Sequence, residues 1–412
     1  MKKGKLNKRK RIYLDYAAAT PIDEKVRQVM QKVETETWAN PSSLHQEGER
    51  AKNILEEART KIAAILRCRA SEIYFTSGGT EAANIAVQGV MRRFNLRKKP
   101  PHIICSSIEH PAVLQAVKNS EAEISIVRPD ASGIVNPQAI EKEIKPNTVL
   151  VCLMHSNNEI GTIQPIREVS KIKKQAYLLT DASQSALYED VAPERLGADL
   201  LILDGIKICG PRGVGALFIK HGIKISPIIF GGGQERGLRS GTENTVAAAG
   251  LALALQIAVE KREEESARLT KLRDYATAKI LKEIPYSSLN GDPQKRLPNN
   301  INICFTSQGA SLVRNENPKE APWGEPWGEI DSEFLVIKLD TLGFAVSAAS
   351  ACHNLNLENS SYVIEALDKN PSNFSGRAEC ASSSLRFTLG CATTKHDLNS
   401  LISALKKICR GV

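Results

Sequence analysis

Between residues 72 and 220 the chain alternates two kinds of pattern. Short runs (EIYFT, HIICSS, EISIV, TVLVCLMH, AYLLT and DLLILD) are mostly apolar at consecutive positions. Such runs fit strands buried on both faces, as in a parallel sheet covered by helices. Between them lie helical patterns, among them TEAANIAVQGVMRRF and PAVLQAVKN. The alternation predicts an α/β layer architecture. A long helical pattern follows from Thr245 to Ile284; it is predicted to bend near its charged middle and to bridge to a second domain. In that domain NINICF, FLVIKLDTLGFAVS and SSLRFTL read as strands.

The chain divides into a large domain over 21–265 and a small one formed by 1–20 and 266–412. An insertion over about 308–330 carries a tandem PWGE whose prolines, glycines and charges predict a surface loop, with its tryptophans covering a nearby apolar patch.

At 412 residues, 42% hydrophobic and 25% charged, the chain can bury a large core without staples. The net charge of +9 owes much to the opening MKKGKLNKRKR, which reads as a solvated terminus. No direct nucleic-acid partner is expected. No run approaches the roughly 18 apolar residues of a membrane helix, so no membrane association is expected. Nine cysteines are scattered with no C-x-x-C pair. That pattern predicts neither a disulfide framework nor a metal site, and a reducing, cytoplasmic setting.

Ligands of open α/β sheets bind beyond the carboxyl ends of the strands. After EIYFT come Ser77, Gly78, Gly79 and Thr80, a turn into a helix whose N–H groups suit a phosphate. After HIICSS comes His110; after TVLVCLMH come Asn157, Asn158 and Glu159; after AYLLT come Asp181 and Gln184; after DLLIL comes Lys207. Singly, each has an ordinary explanation, such as a helix cap for Asp181 or a surface charge for Lys207. Together, an anion cradle, an imidazole, a carboxylate and a lysine are what pyridoxal 5'-phosphate requires.

The ordered motifs IYLDYAAATP, NPSSLHQEG, FTSGGTEAAN, SSIEHPAV, MHSNNEIGTIQPI, TDASQS, GPRGVGALFI, GGGQERGLRSGTEN, VSAASAC and LRFTLG span almost the whole chain. In them it resembles the cysteine desulfurases of the NifS/IscS type, within the class V aminotransferase group. The resemblance implies an aspartate-aminotransferase-like fold, with a mainly parallel seven-stranded sheet in the large domain and a smaller α/β C-terminal domain. It implies pyridoxal 5'-phosphate as cofactor, L-cysteine as substrate, a homodimer, and a sulfur-acceptor protein, either an iron–sulfur scaffold or a relay protein. The implied reaction converts L-cysteine to L-alanine and leaves an enzyme-bound persulfide. The sulfur then serves iron–sulfur cluster assembly or tRNA thiolation. Another class V enzyme (a transaminase or a selenocysteine lyase) and a weakened scaffold-like homologue are the alternatives.

By the same resemblance Lys207 would anchor the cofactor as a Schiff base, Asp181 would pair with its ring nitrogen, and Gln184 would contact the ring hydroxyl. His110 would stack on the ring and pass protons. Gly79 and Thr80 would hold the phosphate, with Thr242 reaching it from the neighbouring subunit. Asn158 and Arg386 would bind the substrate carboxylate, Arg386 through its planar fork. Cys352, on a mobile loop over about 348–360, would accept the sulfur as a thiolate.

Departures accompany the match. The family's Ser-x-His-Lys is here Asp204-Gly205-Ile206-Lys207. An anion thus replaces one donor to the phosphate and an isoleucine another. Tyr362 replaces a family histidine, Cys391 a basic residue, and the tripeptide before Ser350 is Ser347-Ala348-Ala349 rather than rich in serine and glycine. The phosphate end is therefore expected to be the weak part of the site.

Overall fold

The computed structural model describes residues 11–94, 100–305, 331–348, 360–367 and 380–409. Cys352, most of its loop, the first ten residues and the PWGE insertion lie outside them.

The chain enters through β1 (Ile12–Tyr13) and two helices, α1 (Glu24–Glu36) and α2 (Gln46–Leu66). An alternating series follows: β2 (Ile73–Thr76), α3 (Gly79–Phe94), β3 (His102–Ser106), α4 (Pro111–Lys118), β4 (Glu123–Val127), α5 (Pro137–Glu143), β5 (Thr148–Cys152) and α6 (Ile166–Ile172). It ends with β6 (Tyr177–Asp181), α7 (Pro193–Leu196), β7 (Leu200–Asp204) and β8 (Gly215–Ile219). The strands form one seven-stranded sheet, in the order β2-β8-β7-β6-β5-β3-β4. All its pairings are parallel except those of β8, which runs antiparallel to both neighbours.

Alternate residues explain why the strands read as unbroken apolar runs. On β7, Leu200 and Ile202 join a core that includes α3 and α4, while Leu201 and Leu203 face the opposite core with α2. The period-2 pleat therefore buries every position. The strand β8, GALFI, was not anticipated. Its Gly215 is needed where the backbone passes Gly78, because a Cβ there would lie 2.8 Å from the Gly78 Cα.

Next comes α8 (Thr245–Glu283), a single helix of 39 residues without the predicted break. Its first half (Ala248, Leu251, Leu255) packs in the core of the large sheet, and its second half (Leu269, Ala276, Ile280) in that of a second sheet. Only Gly250 interrupts its helix formers and it contains no proline, so no kink-forming residue lies at the charged crossing. The second sheet pairs β9 (Ser287–Leu289), β10 (Asn300–Phe305), β12 (Ser347–Ala348) and β13 (Ser384–Thr388), in the order β12-β13-β10-β9. A separate two-stranded pair joins β1 to β11 (Phe344–Ala345). Helices α9 (Ser332–Thr341), α10 (Tyr362–Ala366) and α11 (Lys395–Cys409) complete the region.

Two expectations are corrected here. FLVIKLDT is helix α9, not a strand. The Asp331 carboxylate caps the Glu333 N–H, and Leu335 and Leu339, four apart, bury in the second core. That packing overrides the strand preference of Val336 and Ile337. The expectation of a chain without disulfides also fails at one pair. Cys304, on β10, is bonded to Cys380, just ahead of β13, with their Cα atoms 5.1 Å apart. The antiparallel register sets Cys304 opposite Ser384 and so brings the two together across 76 residues of sequence, with no spacing motif to announce it.

Candidate active site

The carboxyl ends of β2, β3, β5, β6 and β7 open onto one cavity. Gly79, Thr80, His110, Asn158, Asp181, Gln184 and Lys207 all line it, as do Met154, Ser156, Ser183 and Asp204. Each side chain is placed by a short turn after its strand. A β7 residue supplies the cap for the turn that holds Lys207: Ile206 N–H donates to Asp204 Oδ1 at 3.2 Å. Lys207 Nζ donates to the carbonyls of Ala17 and Ala18 at 2.8 and 2.7 Å. Gln184 Nε2 donates to the same Ala17 carbonyl at 2.9 Å. Thr20 fastens this N-terminal segment down, its N–H and hydroxyl both donating to the Ile206 carbonyl.

His110 is the N-cap of α4, its Nδ1 accepting the Ala112 N–H at 3.1 Å. In the neutral ring the proton therefore sits on Nε2. Tyr362, at the start of α10, donates its hydroxyl to the Glu109 carbonyl at 2.6 Å, steadying the residue before His110. Asp181 accepts the Ser183 N–H at 2.9 Å, which orients its carboxylate at the strand end. Buried beneath the site, Glu109 is pushed up to about 7 by desolvation, against the Ser106 hydroxyl and Met154 N–H, with Asp181 adding to the rise.

Asn158 Oδ1 and Ser183 Oγ are buried without a partner, and both residues line the cavity. Buried polar atoms are nearly always paired, so these two suit a polar ligand. Gly79 opens α3, and a Cβ there would come 3.2 Å from Asp204 Oδ2 and 3.6 Å from Ser183 Oγ. A side chain at position 79 would crowd Asp204 and narrow the cradle. Lysine, carboxylate, imidazole and orphaned hydroxyl fit pyridoxal 5'-phosphate; one cradle N–H, that of Gly79, already donates to Asp204 Oδ2 at 3.1 Å.

One residue stands elsewhere than anticipated, and Thr242, assigned to the neighbouring subunit's phosphate, lies outside this chain's own cavity. Arg386 is buried behind Asn158, not on the cavity wall. Its Nη1 donates to the Asn158 carbonyl and its Nη2 to Asp15 Oδ1, both at 2.9 Å, while Nε is buried without a partner. Asp15 thus holds the fork that the resemblance reserves for a substrate carboxylate. Thr242 is exposed and lines a separate hollow with Ser77, Arg239 and Glu243. Ser183 and the Ala17 and Ala18 carbonyls were missed, although TDASQS and DYAAAT both lay among the quoted motifs; backbone acceptors carry no sequence signal.

The class-V aminotransferase model matches residues 12–316. Cysteine desulfurase IscS of Dictyoglomus turgidum is 40% identical over 405 residues, covering 97% of this chain and 95% of that relative. This chain belongs to the class-V aminotransferases, in their NifS/IscS-type cysteine desulfurase branch. Cysteine desulfurase IscS 1 of Archaeoglobus fulgidus is 39% identical over 95% of both chains. Among solved structures, a NIFS-like protein superposes with a TM-score of 0.82 at 30% identity, over 98% of this chain and all of that one. SspA, solved in complex with cysteine, gives 0.73 at 32% identity, over 92% of this chain and 98% of that one.

Proposed function

We propose that the chain is a pyridoxal 5'-phosphate-dependent cysteine desulfurase. It converts L-cysteine to L-alanine and takes the sulfur onto Cys352 as a persulfide, for iron–sulfur cluster assembly or tRNA thiolation. The observation that carries this reading is the convergence of Lys207, Asp181 and His110 on one cavity lined by two unpartnered polar groups.

When bound, the cofactor supplies an electron sink conjugated to the substrate's amino group. Lys207 is the residue to anchor it and, once released, to move a proton. The Asp181 carboxylate would face the cofactor's ring nitrogen and favour its protonated form. His110, oriented by the Ala112 N–H, keeps a proton on Nε2 for transfer. Asn158 orients the substrate carboxylate, with Arg386 bracing the Asn158 carbonyl from behind. Cys352, as thiolate, is the sulfur acceptor.

A homodimer belongs to this reading. Trp38, Leu44 and Phe230 are large apolar side chains left 78%, 102% and 73% exposed, and Thr242 is exposed on the loop that follows Phe230. A protein acceptor for the sulfur and a cytoplasmic setting complete it. Among the described residues no helix is long and apolar enough to cross a membrane.

The test is incubation with L-cysteine and a reductant, measuring sulfide and alanine. The parent protein is expected to release both in equal amounts. Lys207→Ala should release neither, and Cys352→Ala should lose nearly all turnover. Full turnover by Cys352→Ala would overturn the reading.

A further inference from the structure

Three features converge at the α3 end of the cavity. The first is the start of α3, a helix of 16 residues whose opening N–H groups have no partner within the helix. The second is the Ser183 hydroxyl, in a residue only 7% exposed, with no hydrogen-bond partner. The third is the Asp204 carboxylate. Its Oδ2 accepts the Gly79 N–H at 3.1 Å and its Oδ1 the Ile206 N–H at 3.2 Å.

A helix start joined to a buried hydroxyl is a receptor for an anion. Here the chain supplies the anion itself. Burial pushes the Asp204 carboxyl up; the Gly79 and Ile206 N–H groups and the Lys207 charge draw it down, and Asp181 pushes it up again. The N–H groups of Gly79 and Thr80 are also what the cofactor's phosphate would use. A phosphate dianion placed there meets a carboxylate at close range. It also meets a donor already engaged.

We propose that Asp204 is an internal competitor for the cofactor's phosphate, lowering the site's affinity for the phosphate monoester and leaving its affinity for the unphosphorylated aldehyde nearly unchanged. This inference rests on the function proposed above. It assigns Asp204 a specificity role among vitamers that the lysine, the ring contacts and the sulfur acceptor do not share. The position acts on the phosphate end of the ligand, through charge.

The experiment measures equilibrium binding of pyridoxal 5'-phosphate and of pyridoxal by protein fluorescence and visible absorbance, without substrate. Four proteins are compared: the parent, Asp204→Asn, Asp204→Ser and Lys207→Ala. Asn keeps the shape of the side chain and its acceptor for the Ile206 N–H; far-UV circular dichroism checks that each variant folds. Both Asp204 variants are expected to bind pyridoxal 5'-phosphate at least tenfold more tightly than the parent, with pyridoxal changed less than threefold. Unchanged phosphate-ester affinity in both variants would overturn the proposal. So would equal tightening toward both vitamers, which would make position 204 a matter of shape. If no form bound either vitamer, and Lys207→Ala matched the parent, the proposed function would fall and this inference with it.

Discussion

Removing the Glu235 carboxylate tests how the loop that bears Thr242 is held. Arg59 Nη1 and Nη2 each reach Glu235 at 2.8 Å, a two-pronged pair whose side chains are 3% and 1% exposed. Glu235 Oε2 also accepts the Phe75 N–H at 3.0 Å. Glu235 and Arg236 both adopt left-handed backbone, with φ of 46° and 56°, a conformation that ordinary residues keep only where their surroundings impose it. Breaking a buried pair costs about 3–5 kcal/mol, because the remaining charge is stranded. Arg59 keeps the Ile73 carbonyl, the half-exposed Glu56 and the face of Phe75, which favours the lower end of that range. The orphaned Phe75 N–H adds about 1 kcal/mol or more. Glu235→Ala should therefore cost about 4 kcal/mol. Glu235→Gln keeps an acceptor for Phe75 but still strands the Arg59 charge, and should cost about 3 kcal/mol. Urea denaturation with an unchanged m-value measures both, and hydrogen exchange should show residues 231–244 opening first. A loss below about 1 kcal/mol for Glu235→Ala, or exchange unchanged in that loop, would refute the reasoning.

Other outcomes follow from the site and the core. Ile206→His should restore a donor near the phosphate and slow cofactor loss on dialysis; an unaltered loss rate would show that position 206 does not reach the phosphate. Burial raises Glu109 and Glu159 from 4.5 to about 7, so the folded chain holds their protons more tightly than the unfolded one. The stability they contribute is complete below pH 4.5 and is lost as pH rises through about 7. Glu109→Gln should flatten the fall in stability between pH 4.5 and 7, measured by urea unfolding at each pH, and an equally steep fall would contradict the assignment. Lys207→Ala should abolish sulfide release while leaving the melting temperature of the cofactor-free protein within a few degrees, because the Ala17–Ala18 segment it donates to is also fastened by Thr20 to the Ile206 carbonyl.

What the sequence disclosed was governed by which forces are local. Strands such as Leu200–Asp204 announced themselves because both faces are buried, and the residues that line the cavity, Lys207 among them, could be read because they lie in the turns just beyond such strands. The misses have distant causes. Helix α9 depends on packing against β13 and α11, and the Cys304–Cys380 bond on the register of β10 with β13. Asp204 was visible as a substitution, but its grip on the Gly79 N–H spans 125 positions. The placement of Arg386 behind Asn158 likewise rests on Asp15, 371 residues away.

Helix α8 has a mechanical consequence. A rod anchored by its first half in one core and by its second half in another transmits torque between them, and with neither proline nor glycine at the crossing it offers no joint about which the two bodies could swing.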